Sequence, residues 1–439
     1  MRLSRCLLIL LFITACVTAH AQTTLTLQQC LDIAIKNNLI VKQTGNTLLR
    51  DSIAFKQTKE NLLPSLTGNA SRYFDQGRGV NPITNTYINQ SFTNDSYGLS
   101  AGVTLFNGLA LQNNIKQASL SYQAGKMDLQ SARDQVTVNI ITNYLLILDN
   151  QETLEQTKSA LAVSKETLDR LEILERQGNN KAASDIYDQR GQYASNQVNV
   201  VSAQNSLNAA KLSLFQLMNV PYDQNATFQP LSPSELVGEY GVSPDQIYQT
   251  ALQQLPVVKS AALKRQSAEK YLQLEKGLLF PTLSLGGGIN TNYSSASQNV
   301  AYFDQFKNNY STSVGLNLNI PIFTNHRLKN NIALAKITVL DNVYIEENTK
   351  IVLRQNIEQA YYNMSSAYKR YQALQEAVKA YTESFRISKI RFDSGVLTSV
   401  DFIISKNNMD AANLNLISAR YDYFIYSKVL DYYQGKLSL

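Results

Sequence analysis

Apolar residues along the C-terminal quarter of the chain recur at every seventh position. The series Ile357, Met364, Tyr371, Val378, Phe385 and Phe392 leads up to Gly395, and Phe402, Met409, Leu416, Tyr423 and Leu430 follow it. A period of seven held over several heptads predicts helices packed along a supercoiled seam. Gly395 lies in the run RFDSGVLTSVDF and reads as the turn of a long antiparallel hairpin. Taken alone, this pattern also fits a coiled-coil spacer. An earlier stretch carries the same spacing, with Ile140, Ile147, Leu154, Leu161 and Leu168, then Ile186, Tyr193, Val200, Leu207 and Leu214 beyond Gly178. No proline falls between Pro82 and Pro221. An unbroken helix over residues 126–177 would be about 78 Å long at 1.5 Å per residue, more than a compact domain of this size can hold.

The two stretches belong to an internal repeat at a spacing of 217 residues. Leu62, Pro64 and Leu66 fall on Leu279, Pro281 and Leu283; Asn113-Asn114-Ile115 falls on Asn330-Asn331-Ile332; Tyr144 falls on Tyr361 and Gly178 on Gly395. The expected organisation is a signal peptide (1–21), a first repeat (22–220), a linker (221–244) and a second repeat (245–439). Each repeat opens with helical spacing, which ends at Pro64 or Pro281. Period-two alternation follows. Leu283, Leu285, Gly287 and Ile289 oppose Ser284, Gly286, Gly288 and Asn290, and Tyr97, Leu99, Ala101 and Val103 oppose Gly98, Ser100, Gly102 and Thr104. The strand regions are about 65–106 and 282–323, two strands in each. The hairpins are about 108–219, with its tip near 178–185, and 325–434, with its tip near 395–401.

Composition narrows the class. The 439 residues are 17% charged and 44% apolar, with a formal net charge of +6 and no run of Lys or Arg to bind phosphates. Nucleic acid is not an expected partner. Arg2 and Arg5 precede a short apolar core, Leu7 to Ile13, and Ala19-His20-Ala21 offers a cleavage site, so the chain reads as exported. A second reading of the same segment takes Ile13-Thr14-Ala15-Cys16 as a lipobox that leaves Cys16 acylated; cleavage after Ala21 is preferred. No later apolar run is long enough to span a bilayer as a helix, so a membrane protein of this sequence spans as strands.

Four strands cannot close a barrel, and open edges are forbidden in lipid. The choice lies between a soluble sheet with one packed face and a barrel shared among chains. Export, clean alternation and a polar face of Ser, Thr, Asn and Gly favour the shared barrel. So do aromatics at strand ends, among them Tyr73, Phe74, Tyr87, Tyr97, Tyr293, Tyr302, Phe303, Phe306 and Tyr310.

The whole mature chain resembles the TolC family of outer-membrane efflux and secretion channels. The segments that carry the likeness are LLPSLTGNA (Leu62–Ala70), LLFPTLSLGGG (Leu278–Gly288), SYGLSAGVTLFNG (Ser96–Gly108), STSVGLNLNIPIF (Ser311–Phe323) and the tip GVLTSVDFIISKN (Gly395–Asn407). The resemblance implies an α+β membrane protein and a homotrimer. Each chain would give four strands to a 12-stranded barrel, continued by a periplasmic α-helical barrel. It also implies a passive, non-enzymatic exit duct without cofactors, docked on a periplasmic adaptor protein served by an inner-membrane pump, in tripartite efflux (of drugs or metals) or type I secretion. The expected adaptor-docking tips are Gly178, Gly395, Thr398 and Val400. Family members ring the entrance with acidic residues after the tips. Asp401 matches the first of the family's Asp-x-x-Asp pair, whose second position is Ile404 here, and the first repeat has Asp185 and Asp188 at that spacing. Such rings would favour cations and respond to divalent ions. Asp185 and Asp401 also fit helix N-caps after a glycine turn.

Other chemistries find little support. After signal removal one histidine, His326, and one cysteine, Cys30, remain, too few for a catalytic triad or a structural zinc site. Gly286-Gly287-Gly288 lacks the Lys-Ser/Thr of a phosphate loop. A periplasmic coiled-coil adaptor or structural envelope protein is the alternative, but it predicts one hairpin where this sequence has two.

Overall fold

The computed structural model describes residues 24–80, 84–177, 183–231, 240–297 and 299–436. The proposed signal peptide with Cys16, the tip residue Gly178 and part of the 221–244 linker lie outside these residues. Every helix-forming stretch of the first half returns in the second. Helix α1 (Leu27–Asn37) and α2 (Leu39–Glu60) precede strands β2 (Ser65–Val80) and β3 (Tyr87–Phe106), then the long helices α3 (Ala110–Arg176) and α4 (Ala183–Met218). The second pass runs α5 (Pro244–Gln254), α6 (Pro256–Gly277), β5 (Thr282–Ser294), α7 (Tyr302–Asn308), β6 (Ser311–Asn319), α8 (Arg327–Asp393) and α9 (Ser399–Tyr433). Two short strands, β1 (Thr24–Leu25) and β4 (Thr227–Phe228), pair in parallel.

The repeat extends to local chemistry. Thr26 and Ser243, 217 residues apart, are both N-caps in capping boxes, closed by Gln29 and Gln246. The passage from strand to long helix uses a pair of left-handed residues in both copies, Gly108 and Leu109 (φ 65° and 64°) and Asn325 and His326 (φ 51° and 60°). Glycine is required at the first: a Cβ on Gly108 would lie 2.2 Å from the Gly277 carbonyl oxygen.

The chain divides into two compact units. One comprises the described residues of Met1–Thr44, with Leu129–Leu255 and Lys350–Leu439. Its core joins Cys30, Leu31 and Ala34 of α1 to Ile140, Tyr144 and Ile147 of α3 and to Leu207, Leu214 and Met218 of α4. The Tyr144 hydroxyl lies 2.8 Å from the Gln229 carbonyl and 3.1 Å from that of Leu25, tying the β1–β4 pair to α3. Lys211 crosses to the same loop and donates to the carbonyls of Gln224 and Ala226; burial lowers its pKa. Along the second hairpin the heptad seam is buried at Ile357, Met364, Phe402, Tyr423 and Leu430. Tyr371, Val378 and Phe385 stay half-buried, so one chain does not satisfy its own seam.

The other unit comprises Gly45–Asp128 and Pro256–Thr349. It contains a four-stranded antiparallel sheet in the order β2-β3-β5-β6. The two expected strand regions hold β2 with β3 and β5 with β6. Helix α7 occupies the connection between β5 and β6, and β6 stops at Asn319, short of the expected 323 and just before Pro321 removes a ladder donor. No described helix is long and apolar enough to cross a membrane, a statement that does not bear on strands.

Candidate functional site

Two features stand out, one in each unit. The first is the sheet, whose register sorts every residue onto one of two faces. Leu66, Gly68 and Ala70 share a face with Leu99, Ala101, Val103, Leu285, Gly287, Ile289, Val314, Leu316 and Leu318. This face is apolar yet uncovered, with Leu66 72%, Val314 84% and Leu316 67% exposed. The opposite face presents Thr67, Asn69, Ser71, Ser96, Ser100, Ser284, Asn290, Ser313 and Asn317, and Asp75 is its one charged residue among those described. A Cβ at Gly98 would lie 2.6 Å from Oδ1 of both Asn69 and Asn290, so glycine there makes room for a row of amides. Strands β2 and β6 are the sheet's edges, each with one side unpaired among the described residues. An apolar face toward solvent and a polar face opposite invert a soluble sheet on a core. The arrangement suits lipid outside and water inside.

The second feature is the pair of hairpin tips. Helix α8 ends in a turn at Gly395 (φ 72°), where the Val396 N–H bonds the Arg391 carbonyl at 2.9 Å, a Schellman-type stop. Thr398 is the N-cap of α9; its Oγ1 accepts from the Asp401 N–H at 3.2 Å and donates to Asp401 Oδ2 at 2.8 Å. Asp401 is therefore not the cap: Thr398 is. Asp185 lies inside the first turn of α4 and is not a cap either. Asp185 and Asp188 converge on Ser399 of the other hairpin. Ser399 is fully buried, and its Oγ donates to Asp185 Oδ1 at 2.7 Å, with Asp188 Oδ2 at 3.4 Å.

Further polar ties cross between the hairpins. Arg170 pairs with the Asp393 carboxylate and reaches its carbonyl at 3.3 Å, and Gln192 and Asn407 exchange amide bonds at 3.2 Å. A cleft of about 260 Å³ lies among Arg170, Asp185, Ile186, Phe392, Asp393 and Gly395. On the second tip Val396 of the turn is exposed, as are Val400 and Ile404, one turn apart on α9. So the structure brings Asp185 and Asp188 together with Ser399, and places Asp401 separately, on its own cap. Ser399, Arg170 and Asp393 escaped the sequence reading, since contacts between hairpins leave no spacing signal.

Comparison with known proteins decides what this pairing of features belongs to. A family model described as outer membrane efflux protein matches residues 34–220 and, a second time, residues 247–434. The chain belongs to the outer membrane efflux protein family. Its curated relatives include the outer membrane efflux protein BepC of Brucella suis biovar 1, 23% identical over 96% of this chain and 88% of BepC. The outer membrane protein TolC of Vibrio cholerae is 23% identical over 74% of each chain. Among solved structures, the Campylobacter jejuni CmeC outer membrane channel superposes with a TM-score of 0.81 at 19% identity, over 94% of this chain and 87% of CmeC. Membership makes the protein an outer-membrane exit duct for efflux. In that setting the apolar face of the sheet suits a lipid-facing wall and the amide row a wet lumen.

Proposed function

We propose that this chain works as a homotrimer in which three copies of the four-stranded sheet close a 12-stranded barrel through their β2 and β6 edges. One observation carries the proposal: the sheet has two unpaired edges and an exposed apolar face, a combination that is stable in lipid only when further strands complete it. The trimer passes substrates delivered by an inner-membrane pump through a periplasmic adaptor, in tripartite efflux or type I secretion, and performs no chemistry of its own. The signal-like residues 1–21 support export, with Cys16 as the acylated residue in the lipoprotein variant.

The tips supply the regulated end of the duct. The exposed residues Val396, Val400 and Ile404, beside Thr398 and Gly395, form a surface that an adaptor's apolar contacts would cover. By the sequence repeat, Gly178 is the counterpart of Gly395 and the other candidate docking tip. Asp401 is exposed and Asp188 largely so, and in a trimer each becomes a ring of three carboxylates. The test is native mass spectrometry of the detergent-extracted protein, followed by bilayer recording of Asp188→Asn and Asp401→Asn. Three chains per particle, and weaker divalent block in the variants, are expected. A monomer refutes the shared barrel; unchanged block in both variants refutes the rings.

A further inference from the structure

An ion pair stands on the wall that should carry no charge. Arg72 lies on the apolar face two residues beyond Ala70, and its Nε and Nη2 each donate to Asp95 at 2.6 Å. The Asp95 side chain has no exposure, while that of Arg72 is 68% exposed. Asp95 also accepts from the Tyr302 hydroxyl at 3.0 Å, and Tyr302 meets the Tyr97 hydroxyl at 2.9 Å. The acid is thus locked beneath the surface, and its partner is turned outward with Nη1 outside the bidentate pair. A charge on a lipid-facing strand is tolerated near the interface and costly at the midplane. Its neighbours mark the interface. Tyr293, Tyr302, Phe303 and Phe306 gather around the same end of the sheet, with Phe303 76% exposed.

Directly inward of this pair runs an apolar groove of about 510 Å³. Gly68 and Ala70 form one wall, Ile289 and Thr291 the other, Tyr97 and Leu99 the floor, and Phe306 and Tyr310 the outer end. Helix α7 is held over that end by bonds that the side chains of Thr291, Gln305 and Asn309 make with backbone of the sheet and of α7 itself. The groove crosses β2, β3 and β5 and is complete within one chain. Lys307 on α7 adds a second exposed cation, with Asp304 one turn before it.

We infer that this groove and Arg72 form a binding site for a phosphorylated, acylated glycolipid of the outer leaflet. An acyl chain lies along Gly68, Ala70 and Leu99, and the head-group phosphate meets the Arg72 guanidinium. Chemistry and position coincide. The groove opens on the lipid-facing wall, it leads to a pre-oriented guanidinium, and that guanidinium lies among interfacial aromatics, where the phosphates of such a lipid sit. This site rests on the outer-membrane reading of the sheet.

The test is native mass spectrometry of the purified full-length protein with three probes: bisphosphorylated hexa-acyl lipid A, the same lipid dephosphorylated, and inorganic phosphate. Conductance is recorded on the same preparations. The phosphorylated lipid is expected to bind at least tenfold more tightly than the dephosphorylated one, without competition from inorganic phosphate. Ala70→Phe, which fills the groove, and Arg72→Gln paired with Asp95→Asn, which swaps the ion pair for two amides, should each lower that affinity at least fivefold while leaving conductance unchanged. Equal binding of the two lipids, or binding unmoved by both variants, overturns the site in a protein that still conducts. Loss of both trimer and conductance in the wild type overturns the outer-membrane reading beneath it.

Discussion

Replacing Asp149 by asparagine should stabilise the protein at neutral pH and leave it nearly unchanged in acid. Asp149 projects from α3, and its Oδ1 is buried without a hydrogen-bond partner. Burial raises its carboxyl from 3.8 to about 6; Asp422 and Glu152 add to the shift and Arg420 opposes it. The unfolded chain ionises this group near 3.8, so the folded state binds more protons between the two values. Ionising Asp149 in the fold therefore costs stability. The penalty is absent below pH 3.8, grows through the interval and is complete above pH 6. Two pH units at 1.36 kcal/mol each put it at about 3 kcal/mol. Asparagine cannot ionise, so the variant escapes the penalty. Thermal unfolding of the detergent-solubilised protein, followed at pH 4 and pH 8, checks the sign and the window. The midpoint should rise by several degrees at pH 8 and by little at pH 4. An equal shift at both pH values would show a packing effect and refute the reasoning, as would a fall at pH 8.

Other substitutions test separate links. Ser399→Val removes a buried donor shared by two carboxylates; about 2 kcal/mol of tie between the tips should be lost, read as a larger open-state conductance in bilayers. Gly108→Ala drives a Cβ toward the Gly277 carbonyl at a positive φ, and recovery of assembled protein from membranes should fall sharply. Leu214→Ala opens a cavity in a fully buried site between helices; chemical unfolding should register a loss of about 3 kcal/mol. Lys406→Met leaves the half-buried Asp410 without its cation, whereas Lys406→Met with Asp410→Leu should restore most of the lost thermal stability.

Much of the architecture was legible because it is periodic. The seams led by Ile357 and Ile140 repeat every seven residues, and Leu283 to Ile289 every two, so local pattern alone distinguishes helix from strand there. The spacing of 217 residues then doubled every observation. What the pattern missed depends on pairing. Proline at position 321 was available as a stop for β6, yet the alternation continues through Ile320 and Ile322 and masks it. Helix α7 is seven residues long and held by contacts to β5 rather than by its own periodicity. At the tips, the cap alternative for Asp401 falls three residues late because Thr398 and Asp401 both carry capping oxygens, and only backbone geometry separates the cap from the residue it binds. Arg72 and Asp95 did leave a trace: they are the only charges in the stretch where β3 pairs with β2 on one side and β5 on the other, from Asn94 onward. Opposite charges in two strands that must pair are a signal that alternation counts overlook.

The measurement closest to the central claim is single-channel recording of the purified protein in a planar bilayer. A shared barrel lined by Asn, Ser and Thr predicts discrete conductance steps, each from one trimer. A trimeric preparation that inserts into lipid and yields no current above baseline would contradict it.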